Sequence, residues 1–123
     1  MKPVPILGTI VLIGVVCQIL LGLQITGAGA DYLIGPHILI GVLGLILVIV
    51  LAVTAFRAKG AKVYSKLVIT ILTIVVIIQV GLGFELLQGA ESMIVSHEIN
   101  AFLILLLTVA MGAVTMLSAR KSN

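Results

Sequence analysis

Apolar residues dominate four long stretches of the chain, about 4–23, 33–56, 67–87 and 93–117. Short polar or glycine-containing stretches separate them, at 24–32, 57–66 and 88–92. A helix needs about 20 apolar residues to cross a bilayer, and each stretch has that length. The stretches are apolar all round rather than along one stripe, the pattern of helices surrounded by lipid or protein. Strands of a membrane barrel would be about half as long and would alternate in polarity. The pattern predicts an all-α integral membrane four-helix bundle, a single membrane domain over 1–123, with hairpin connections too short to hold a soluble domain.

Composition supports this reading. Of the 123 residues, 62% are hydrophobic and 9% are charged, whereas a soluble domain carries about 25% charged residues. Too few charges remain to build a water-facing surface, and a disordered chain would need the opposite balance. The net charge of +3 comes without a basic stripe or stacking aromatics, so nucleic acid is excluded as a partner. Cys17 is the one cysteine, which leaves no disulfide and no paired-cysteine motif.

Charge placement predicts orientation. The basic residues Lys2, Arg57, Lys59, Lys62, Lys66, Arg120 and Lys121 all fall at the two termini or the middle connection, which four spans place on one side. The acids Asp31, Glu85, Glu91 and Glu98 fall at or beside the other two connections. The positive-inside rule then puts both termini in the cytoplasm, and the chain reads as a multi-pass protein of the cell membrane. The first stretch begins like a signal peptide, but at about 20 residues it exceeds an h-region of roughly 7–15. It also has a counterpart later in the chain, so it reads as a span.

That counterpart is the third stretch. Gln18, Gly22 and Gln24 match Gln79, Gly83 and Glu85 at an offset of 61 residues. After a one-residue gap, Gly29, Ala30 and Asp31 match Gly89, Ala90 and Glu91 at an offset of 60, and His37 falls on His97. Matches among aliphatic residues carry no information here, but Gln, Gly, acids and His are scarce in apolar spans. The chain is thus a duplicated transmembrane hairpin, about 6–57 and 67–118. The two copies insert in parallel orientation, related by a pseudo-two-fold axis along the membrane normal.

The symmetry places His37 and His97, the entire histidine content, at one depth and facing each other. His37 precedes Arg57 by 20 residues, roughly 30 Å of helix, so both imidazoles lie toward the outer end of the spans. Two histidines are too few for most zinc or di-metal sites, whereas haem iron needs two axial ligands and bundle cores commonly hold cofactors. Gly41, Gly44 and Ala101, with Thr108 further on, set small residues on the adjoining faces. They open a slot for a flat ring or let helices approach closely. Gln18 and Gln79 serve interhelical hydrogen bonding or orient an imidazole. Glu85 and Glu98 read as interfacial carboxylates or as groups that move protons, and Tyr32 and Tyr64 read as interfacial anchors. The outer side offers a haem's carboxylates no Arg or Lys, and leaves Gln24, Gln88, Ser92, Ser96, Asn100 and free backbone N–H groups to solvate them.

With its Gln18–His37 and Gln79–His97 segments and the Leu23-Gln24-Ile25-Thr26-Gly27-Ala28-Gly29 run between span and histidine, the chain resembles half of the haem A synthase family. Members of that family consist of two four-helix bundles, each with a histidine pair on its second and fourth helices near the outer face. The resemblance implies that His37 and His97 are the axial ligands of one haem b per chain, in a low-spin site suited to electron transfer. The family's catalytic glutamate, three residues before the first histidine, is replaced by Ile34 and Ile94; Ile38 stands where its histidine is followed by arginine; its external cysteine pair is absent. The chain is therefore closer to the cofactor-holding half. Two further readings stay open, a compact haem A synthase acting as a homodimer and an accessory subunit of a larger respiratory or oxygenase complex. Each calls for the bilayer and a redox partner or quinol. A small exporter would need an acid deep in the first span, and none is there.

Overall fold

The computed structural model describes residues 3–59 and 62–120, with the side chains of 3 and 116–120 outside the description. Four helices account for nearly all of it: α1 (Pro3–Ala28), α2 (Ile34–Arg57), α3 (Val63–Leu87) and α4 (Ile94–Arg120). No strand occurs among the described residues. All four helices are long and apolar enough to cross a membrane. Each of α1 and α3 packs on both α2 and α4, and among the described residues the backbones of α1 and α3, and of α2 and α4, do not approach each other closely. The bundle is a square, with the two histidine-bearing helices on one diagonal.

The helices outrun the apolar stretches that predict them. α1 continues through Gln24–Ala28 because nothing there obstructs a helix, and the Thr26 hydroxyl donates back to the Gly22 carbonyl at 3.1 Å, satisfying an acceptor beside the helix end. It stops where Gly29 takes φ 62°, a left-handed conformation that costs a residue with a Cβ about 1–2 kcal/mol. α3 stops likewise at Gly89, φ 88°. It also begins early, at Val63, with the Ser65 and Lys66 N–H groups donating to the Lys62 carbonyl.

The two hairpin turns have the same construction. Ala30 and Ala90 share nearly the same backbone, φ −82° and ψ 64° against φ −78° and ψ 67°. Each is followed by a short 3-10 turn, Asp31–Leu33 and Glu91–Met93. They differ by one residue: the Ala30 N–H reaches back to the Gln24 carbonyl, whereas the Ala90 N–H reaches the Glu85 carbonyl. Gln24 and Glu85 are the matched positions, so the one-residue gap in the repeat is taken up at the end of α1.

Packing is uneven along the bundle axis. The most deeply buried side chains are Leu51, Ile69, Leu72, Val48, Thr108 and Met111. With Val11, Ala55, Val75, Val76 and Ile104 they fill the half of the bundle nearer the termini and the middle connection. In the other half, nearer the hairpin turns, Ala30 is the only buried hydrophobic residue described. Lipid tails are as apolar as these side chains, so interdigitated van der Waals contact holds such helices together. The half at the turns largely lacks it.

Candidate cofactor site

A cavity of about 890 Å³ occupies the loosely packed half, walled by residues of all four helices. Its walls are almost wholly apolar, and the polar groups that line it include Gln18, His37, Gln79 and His97. A volume in the upper part of the 300–1,000 Å³ range, with few convergent polar groups, is the common form of a small-molecule or cofactor site.

His37 lies one turn into α2 and His97 one turn into α4, the same place in each hairpin. Their ring centroids are 6.1 Å apart and the ring planes are inclined at 58°. Each ring lies against a glycine of its own hairpin. A Cβ on Gly22 would stand 3.6 Å from Cε1 of His37, and a Cβ on Gly83 would stand 3.3 Å from Cε1 of His97. Gly22 and Gly83 are themselves a matched pair in the repeat. They occupy the other diagonal, so small residues on α1 and α3 make the room in which the two imidazoles meet.

A glutamine holds the His97 ring. The Gln79 amide nitrogen lies 3.1 Å from Nε2 of His97. Asn100 Nδ2 donates to Gln79 Oε1 at 2.7 Å and to the Val75 carbonyl at 3.0 Å. In the first hairpin Gln18 lines the same cavity as His37. Its Nε2 occupies the space a side chain on Gly41 would need, 2.7 Å from a Cβ built there. Three buried polar atoms have no partner: Nδ1 of His37, Nδ1 of His97 and Oε1 of Gln18. Buried polar groups are nearly always paired, so three orphans around one cavity mark a place where a ligand's atoms are wanted.

Of the other residues that the sequence singles out, Gly41, Gly44, Ala101 and Glu98 line the cavity. No atom lies within 4 Å of a Cβ built on Gly44. Glu85 is exposed at the end of α3 and is not part of the wall. Thr108 is buried in the packed half, its hydroxyl on the Ile104 carbonyl at 2.7 Å, and does not border the slot. Gln24, Gln88, Ser92 and Ser96 are exposed, and Asn100 faces Gln79 rather than the mouth. Gly22, Gly83 and the Asn100 anchor are the functional positions that sequence reasoning passed over. The glycine pair was visible as a match in the repeat, but its contact with the histidines was not. Among the described residues no group of three or more His, Cys, Asp and Glu side chains is placed to hold a metal ion.

Comparison of the chain with protein-family models, with curated proteins and with solved structures found no match.

Proposed function

We propose that the chain binds one haem b between His37 and His97, near the outer face of the cell membrane, and serves electron transfer. The observation that carries this reading is the pair of opposed imidazoles, 6.1 Å between centroids, inside a hollow apolar half-bundle. Gly44, with no atom within 4 Å of a Cβ built on it, agrees with a flat ligand that has yet to be accommodated.

In this reading His37 and His97 would hold the iron from opposite helices, while Gln79 sets the direction of the His97 ring. Gly22 and Gly83 leave room for the imidazoles and Gly41 for the Gln18 amide, while Gly44 and Ala101 would leave it beside the ligands. The aliphatic walls exclude water. Asp31, Glu91 and Glu98 line the cavity and no described Lys or Arg does, so no cation of this lining would pair with the carboxylates of a haem. Held by these two histidines, a haem would supply one-electron redox chemistry suited to electron transfer. The resemblance to the haem A synthase family supports the ligand pair. Ile34 and Ile94, which cannot ionise, stand where that family has its glutamate, and this favours a carrier over a haem-modifying enzyme. The seven-to-none division of basic residues supports cytoplasmic termini.

A reduced-minus-oxidised spectrum of the detergent-purified protein tests the proposal. A sharp low-spin b-type difference spectrum at one haem per chain is the expected result. A protein that neither carries haem nor takes it up on reconstitution would overturn it.

A further inference from the structure

The repeat makes the two histidines equivalent in position, but their hydrogen-bonding surroundings differ. The Val75 carbonyl can only accept, so the amide of Asn100 must present Nδ2 to it. Both Nδ2 hydrogens are then assigned, one to Val75 and one to Gln79 Oε1. Gln79 consequently accepts with its oxygen and has only its NH₂ group to offer His97. A ring nitrogen facing an N–H donor must carry a lone pair. The proton of the neutral ring is therefore on Nδ1, and Nε2 is bare.

The first hairpin has no such chain. Ile40 stands where the second hairpin has Asn100, and Gln18 Oε1 is buried without a partner. Nothing anchors that amide in one sense.

We propose that Asn100 is a positioning residue: held on the Val75 carbonyl, it fixes the polarity of Gln79 and so presets His97, and not His37, as the Nδ1–H tautomer with a free electron pair on Nε2. This is the tautomer in which a ligand histidine binds a metal through Nε2 while its other nitrogen keeps its proton. His97 needs no proton rearrangement to become a ligand; the ring has only to exchange the Gln79 N–H for the metal. On the haem reading given above, His97 is the first and tighter ligand and His37 closes the sixth position.

The tautomer itself is measurable without any cofactor. The chain has two histidines, so ¹⁵N-histidine labelling of the ligand-free protein in micelles gives two imidazoles, assigned with His37→Gln. At a pH where both rings are neutral, His97 should show protonated Nδ1 and bare Nε2. The opposite tautomer would set N–H against N–H and should be disfavoured about tenfold or more. Gln79→Glu keeps the size of the side chain but can only accept when ionised, and should move the proton to Nε2. Asn100→Leu should leave a mixture, with His37 unchanged in both variants. A wild-type His97 protonated on Nε2 would overturn the proposal, as would a tautomer that ignores both substitutions. A second arm uses added haem b. His37→Ala should retain haem in a five-coordinate, carbon monoxide-binding form, and His97→Ala should lose most of it. Equal retention by both would refute the unequal roles. Absence of haem from every form, with the nitrogen shifts as expected, would remove the haem reading and leave the preset tautomer standing.

Discussion

Gly22 and Gly83 stand against Cε1 of the two histidine rings, so at these two positions a side chain and an imidazole compete for the same space. A Cβ at Gly83 already stands 3.3 Å from the His97 ring, so a branched side chain there must displace the imidazole or fill the cavity. Gly→Leu strengthens a helix locally, by about 1 kcal/mol on intrinsic propensity. Gly22→Leu and Gly83→Leu should therefore leave helix content intact while haem content falls several-fold, checked by circular dichroism and by pyridine haemochrome on the same samples. Haem content equal to wild type in both would show that these glycines serve helix packing alone. The histidines and glutamines were legible in the sequence because such residues are rare in apolar spans, and their recurrence 60 or 61 positions on is informative. The ring–glycine contacts and the Asn100 anchor were not, because they depend on how each helix is rotated about its axis. In spans apolar on every side, the hydrophobic pattern does not specify that rotation.

Among the elements, the hairpin turns show how a local conformation fixes the depth of the site. His37 and His97 each follow a glycine turn by eight residues, so the turn sets where on the helix the ligand falls. Gly29 at φ 62° and Gly89 at φ 88° hold backbone that residues with a Cβ rarely adopt, although neither has a neighbour within 4 Å of a built Cβ. The cost of substitution is thus conformational rather than steric. Gly89→Ala should lower stability by about 1–2 kcal/mol, and Gly89→Asn by less, read from thermal unfolding in detergent. An alanine variant as stable as wild type would mean that the turn relaxes into another conformation. The number of helices, their approximate spans and the duplicated hairpin all follow from the sequence pattern. Their ends do not: polar residues such as Gln24 and Thr26 look like the start of a loop, yet remain helical until a glycine permits the chain to reverse.

Across the whole molecule the bundle is two structures end to end, a packed half near the termini and middle connection and a hollow half near the turns. Leu51, Ile69 and Leu72 are fully buried in the first, while in the second, beyond Val76 and Ile104, Ala30 is the only buried hydrophobic residue described. Local opening is easiest where buried contacts are fewest, so the ligand-free hollow half should open far more often than the packed half. A ligand that binds only the closed form adds stability by mass action, about 2.7 kcal/mol at one hundred times its dissociation constant. That stability should appear where the contacts are made. Hydrogen exchange in micelles, with and without added haem, should therefore show protection rising along the turn-proximal halves of all four helices. The stretches around Leu51 and Leu72 should change little. Uniform protection along the helices would point to a global stabilisation unrelated to the cavity. No change anywhere would mean that the hollow half is already closed without a ligand, and that its unpartnered nitrogens do not await one.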